Sequence, residues 1–190
     1  MSDFVHSYIT SSAKTRWYVR QFDTSSLYKA VTHLHFTAHA VVPNNEGSGE
    51  VDPTNHWTVY LQIEDSSSVR LEVIPTGVGS AGIIVLENKT YAATINHTHM
   101  ETINVTMGTA VTVSSILNVI IEKNRDKYNF APVGEGCRFW TYTFATDLAN
   151  AGVISRCDAN MIKAALVKYW PAPKGTAPME RPMAEGSFYD

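Results

Sequence analysis

The stretch His56-Trp57-Thr58-Val59-Tyr60-Leu61-Gln62-Ile63, the polar residues Glu64 to Ser68, and the return Val69-Arg70-Leu71-Glu72-Val73-Ile74-Pro75 decide the fold. Apolar and polar side chains alternate with a period of two, which places Trp57, Val59, Leu61 and Ile63 on one face of a strand. His56, Thr58, Tyr60 and Gln62 take the other. An even register across the turn puts Val69, Leu71 and Val73 on the apolar face and Arg70 and Glu72 beside His56. The hairpin therefore has one face for a core and one for polar chemistry.

Upstream, Ala30 to Val42 also alternates, with His33, His35, Thr37 and His39 opposite Leu34, Phe36 and Ala38. Trp17, Val19 and Phe22 suggest an earlier strand, and residues 1 to 15 read as a loose lead-in. Asn44 to Pro53 and Gly77 to Gly82 read as glycine-bearing loops. Downstream, Ile83–Leu86, Tyr91–Ile95 and Thr102–Thr106 read as short strands. Thr112 opens a helix with Val113, Ile116, Leu117, Ile120 and Ile121 on one stripe. A second helix starts at Cys137 and runs to Gly152, and a third is capped by Asp158 and ends near Tyr169. The expected class is α+β: an antiparallel sheet of about five to seven strands, then three helices packed on it. Residues 1–170 form one domain and 171–190 an extended, peripheral tail.

The chain has 190 residues, 44% hydrophobic and 17% charged, enough to bury one sizeable core. A formal charge of -3 gives no general attraction for nucleic acid or an anionic membrane. No apolar run approaches the ~18 residues of a membrane span, and residues 1 to 14 lack the pattern of a secretory leader. Two cysteines are too few for a disulfide framework. A cytoplasmic location in a reducing compartment follows as the expectation.

Cys137 stands where Gly134-Glu135-Gly136 runs into the second helix. A helix start has unpaired N–H groups and the positive end of the dipole, and both favour thiolate over thiol. A thiol nucleophile needs an imidazole base and a third polar group to orient it. His56 supplies the ring, and Glu72 is the candidate to orient it. Arg70, Tyr60, Trp57, Gly136 and Trp140 are candidates for substrate contact, although tryptophans such as Trp57 and Trp140 also read as core anchors. A competing constellation is a metal held by His33, His35 and His39 on one strand face with one histidine from another strand, His97 and His99 standing further along the chain. The thiol reading requires no cofactor.

Asn55-His56-Trp57-Thr58-Val59-Tyr60-Leu61, Ser68-Val69-Arg70-Leu71 and Gly136-Cys137-Arg138-Phe139-Trp140 through Asp147-Leu148 and Gly152 resemble an uncharacterised domain family of filamentous fungi, over roughly residues 30 to 170. That family brings no known activity. More coarsely, a His-Trp strand, a hairpin and a later Cys-led helix look like the permuted papain-like thiol enzymes of the lecithin:retinol-acyltransferase and NlpC type. The resemblance implies Cys137 as nucleophile and His56 as base. The second histidine of those acyltransferases is replaced here by the surroundings of Arg70 and Glu72, and the nucleophile box reads Gly-Cys-Arg.

The chemistry expected from these residues is acyl or aminoacyl transfer, or amide hydrolysis, on a small metabolite. Formation of arginine-containing cyclodipeptides from aminoacyl-tRNA in fungal secondary metabolism is one example, with Glu72 holding the guanidinium. In that case tRNA is the one nucleic-acid partner. The alternatives are a non-catalytic small-ligand-binding protein and a histidine-ligated metalloenzyme.

Overall fold

Six strands form the central sheet of the computed structural model: β1 (Trp17–Gln21), β2 (His33–Ala40), β3 (Asn55–Glu64), β4 (Ser67–Pro75), β5 (Gly82–Lys89) and β6 (His99–Thr106). Their order is β1-β5-β4-β3-β2-β6, antiparallel throughout except for β1 alongside β5. The structure describes residues 1–11, 16–40, 53–77, 81–93, 98–108 and 111–189. The α+β class is as the alternation predicts, with three helices after the sheet: α2 (Val113–Glu122), α3 (Cys137–Asn150) and α4 (Arg156–Leu166).

The hairpin register matches the even one, with Tyr60 opposite Arg70 and Val59 opposite Leu71. Leu34, Phe36, Trp57, Leu61 and Leu71 all point to the helix side and are essentially inaccessible. Each such side chain contributes about 1.5–3 kcal/mol of burial. Helix α2 begins with a capping box in which the Thr112 side chain accepts from Ser115 N and Ser115 Oγ accepts from Thr112 N.

Four local expectations are corrected. The lead-in is a helix, α1 (Ser2–Thr10), because Val5 and Ile9 lie one turn apart and are both buried in the core. Tyr8 and Trp17 then both donate to Asp126 Oδ2, at 3.0 and 3.1 Å, fixing α1 and β1 to the exit of α2. Tyr91–Ala93 is a bend rather than strand, and β5 instead extends to Lys89; the rest of the proposed strand lies outside the described residues. Ser155, not Asp158, caps α4, with Asp158 as the reciprocal partner of its capping box.

The fourth correction concerns the tail, which is built into the molecule. Two small antiparallel pairs hold it: β7 (Tyr128–Asn129) with β10 (Ser187–Phe188), and β8 (Lys168–Tyr169) with β9 (Met179–Glu180). Arg138 hydrogen-bonds the carbonyls of Leu166, Arg181 and Pro182, at 3.3, 3.1 and 2.7 Å. Arg181 forks onto both oxygens of Glu135, at 2.7 and 2.9 Å. Residues 41–52 and 78–80, and His97, lie outside the described residues.

Candidate active site

Strands β3 and β4 separate at one end of the hairpin, and the site is built in the gap. Their ladder runs from Glu64↔Ser67 to Val59↔Leu71 and goes no further, whereas β4 keeps pairing with β5 as far as Pro75↔Gly82. Thr32 N donates to Gln62 O at 2.9 Å, which fixes the parity of β3. Gln62, Tyr60, Thr58 and His56 direct their backbone groups toward β2, so Trp57 N–H and Asn55 C=O face the side that β4 has vacated. The first residue of α3 fills this space. Cys137 Sγ lies 3.8 Å from Asn55 O, and Trp57 N–H donates to the sulfur. The thiol thus stands in for a ladder partner.

The backbone amides bracketing His56 hold the sulfur against the His56 ring, and the two side chains share a hydrogen bond. On its other side His56 Nε2 lies 2.7 Å from Glu72 Oε2, which leaves Nδ1 for the thiol. Glu72 is fixed in turn by Arg70, which also reaches Glu87 at 3.0 Å, and by Thr58 Oγ1 at 3.5 Å. A thiol, an imidazole and a carboxylate are therefore in line.

Burial by itself pushes the His56 pKa down, but hydrogen bonds and charge from Cys137 and Glu72 outweigh it and raise the group to about 10. For Cys137 burial acts upward, and the hydrogen bond and charge of His56, the Trp57 amide and the Arg138 charge together bring the thiol below its usual value. Burial likewise raises Glu72, yet His56 and Arg70 pull it down to about 2. Each partner thus shifts the others toward thiolate, imidazolium and carboxylate. The first-turn amides of α3 add to this shift, because Gly136 caps the helix with no side chain.

Gly136 is required by space: a Cβ there would sit 2.6 Å from Tyr128 Oη and 3.1 Å from a Phe130 ring carbon. Tyr128 Oη donates to Gly136 O at 2.9 Å, pinning the turn that delivers the cysteine. A cleft of about 180 Å³ opens beside the sulfur, lined by Thr54 to His56, Val73 to Pro75, Phe130, Gly134 to Arg138 and Ala184.

Of the other proposed contacts, only Gly136 lines this cleft. Trp57 and Trp140 are 1% exposed and point into the core, where Trp140 Nε1 donates to Arg125 O at 2.7 Å. Tyr60 is buried along β3 against Tyr91, and Arg70 is committed to Glu72 and Glu87. Glu72, with its oxygens on His56 and Arg70, has no place for a substrate guanidinium.

The metal alternative is not assembled. His35 has one ring nitrogen 2.6 Å from Asn104 Oδ1 and the other 2.9 Å from Gln62 Oε1. His33 stacks on it, and His39 lies instead beside His56, with ring centroids 6.5 Å apart. Among the described residues no three His, Cys, Asp or Glu side chains gather to hold an ion.

Three contributors escaped the sequence reading. Asn55 is buried, bonding Trp170 N and O at 2.7 and 2.9 Å and so tying the start of β3 to the exit of α4. Arg138 and Ala184 bring the tail to the cleft. The nearest sequence signal is Arg138, a charge directly after the cysteine on a helix face that faces inward.

A family model described as a domain of unknown function, DUF7770, matches residues 34–189. The chain belongs to this family. The DUF7770 match takes in β2 through β10, and with them His56, Glu72, Cys137 and the tail segment at Ala184. It agrees with the expected uncharacterised family and reaches beyond residue 170. No curated protein and no solved structure matches the chain significantly. No helix of the described residues in this DUF7770 protein is long and apolar enough to cross a membrane.

Proposed function

We propose that the protein is a cysteine-dependent acyl transferase or amide hydrolase acting on a small molecule. The observation that supports this is the Cys137–His56–Glu72 line: a thiol hydrogen-bonded to an imidazole whose far nitrogen is 2.7 Å from a buried carboxylate. The Cys137 thiolate attacks an acyl carbonyl carbon, forming the C–S bond. The tetrahedral oxyanion is met by the α3 first-turn amides, at the positive end of the helix. Collapse breaks the bond to the leaving group, which takes the proton of His56. Neutral His56 then accepts a proton from water or an amine as it attacks the thioester; the C–S bond breaks and the thiolate returns. Glu72 keeps the ring oriented and favours its charged form.

A helix-led cysteine packed on an antiparallel sheet, with its histidine on an earlier strand, supports reading the core as permuted papain-like. Aminoacyl donors remain within this chemistry, although the arginine-specific version loses its guanidinium partner at Glu72. The test is iodoacetamide labelling across pH with peptide mass mapping. Cys137 is expected to label ahead of the exposed Cys157 at pH 7, with loss of ester or amide turnover. Labelling of Cys157 alone would sink the reading.

A further inference from the structure

The cleft beside Cys137 is apolar along the wall that an acyl chain would follow. Val73, Ile74 and Pro75 come from the end of β4 that has left β3, Phe130 from the loop after β7, and Ala184 from the tail. Each cation near this wall is engaged. Arg138 is 3% exposed and holds the Leu166, Arg181 and Pro182 carbonyls, while Arg181 forks onto Glu135. A carboxylate on the acyl group would therefore enter an apolar slot where Arg138 and Arg181 are already paired with Glu135 and with carbonyls, and burying it there unpaired is costly. Size narrows the class further. An apolar cavity of about 150 Å³ takes a benzene-sized guest, and the cleft here measures about 180 Å³.

We infer that the acyl donor of this site is an ester or thioester of an uncharged, apolar acyl group of about four to seven carbons, and that Ala184 sets the length limit. This rests on the acyl-transfer reading above. In the step itself Sγ bonds to the acyl carbon, the C–O or C–S bond to the leaving group breaks, and that group departs with the bonding electron pair. The chain lies against Val73–Pro75 and Phe130, with its end toward Ala184.

The experiment uses the full chain with p-nitrophenyl acetate, butyrate, hexanoate, decanoate and hemisuccinate, following p-nitrophenolate release and the mass of the Cys137 peptide. Butyrate and hexanoate are expected to acylate Cys137 at least tenfold faster than decanoate and hemisuccinate. Ala184→Phe is expected to lower the hexanoate rate at least tenfold while sparing acetate, and Ile74→Phe, in the β4 part of the lining, serves if the first variant fails to fold. Fastest acylation by decanoate or hemisuccinate, equal rates for all five, or unchanged preference in a folded variant overturns the inference and leaves acyl transfer standing. Absence of any Cys137 acyl adduct with all five esters overturns both.

Discussion

His56 and Glu72 meet across the β3–β4 hairpin at 2.7 Å, two residues off the direct cross-strand pair, because Glu72 leans along the polar face toward the open end of the ladder. The carboxylate is 6% exposed, so its charge acts on the ring with little screening. Glu72→Gln removes that charge and leaves Arg70 facing an amide. The pH midpoint of Cys137 alkylation is expected to rise, and turnover to fall by about 10²-fold or more. An unchanged alkylation profile would show that Glu72 does not set the state of the pair.

Cys137→Ser keeps the size of the side chain but replaces the thiolate by a hydroxyl that stays protonated. Its fold is expected to be intact by circular dichroism while acyl transfer drops to background. Wild-type alkylation is expected to titrate with a midpoint below that of an ordinary thiol, since His56 and the Trp57 amide lower the group. A midpoint at or above that of Cys157 would contradict this.

Stability is expected to fall on the acid side of pH 6.5 and on the far alkaline side; between 6.5 and 9.0 the lowered Cys137 thiol, whose contribution grows as pH rises toward 9.0, opposes the loss from His56. His56 is raised from 6.5 to about 10, so its contribution is complete below 6.5 and is lost as pH climbs toward 10. His39 is depressed by burial and by the charges of His56 and Arg70 to about 4, so its contribution is present above 6.5 and is lost as pH falls toward 4. Glu72 adds to the acid loss between 4.5 and about 2. Thermal melts of His39→Gln are expected to flatten the limb from pH 6.5 to 4 and to keep the alkaline limb. Loss of the alkaline limb instead would assign it to His39.

Gly136→Ala places a methyl against Tyr128 Oη and Phe130. Overpacking of this kind costs about 1–3 kcal/mol, measured by denaturant unfolding. Because the same turn aims the nucleophile, alkylation of Cys137 is expected to slow as well.

Arg138→Met strips three carbonyls of their donor. Only the Leu166 bond is fully buried, and with a buried unsatisfied group costing about 1–3 kcal/mol, a loss of that order is expected. Limited proteolysis should then cut between residues 175 and 186 first.

Much of the fold was readable because it rests on periodicity. Trp57 to Ile63 and Val69 to Val73 alternate cleanly, and the Val113–Ile121 stripe is helical by spacing, so sheet, register and α2 follow from local pattern. The pairing of His56 with Cys137 was legible as chemistry, from residue type and helix position. What brings them together was not. The departure of β4 from β3 beyond Val59 leaves no mark on the alternation of either strand, and Asn55 and Arg138 act through backbone carbonyls more than 20 residues away. Helix α1 was missed because two buried residues, Val5 and Ile9, make too short a stripe to stand out in a Ser-rich run.

The sulfur's place in the β-ladder makes the sheet a reporter of its chemistry. Trp57 N–H is bonded to Sγ instead of to a carbonyl, so its exchange with solvent deuterium depends on what the sulfur carries. As thiolate the sulfur is a strong acceptor and the amide is shielded; once acylated it is a weak one, and the amide is released. A single backbone proton would then follow each turnover from inside the sheet, with no label attached.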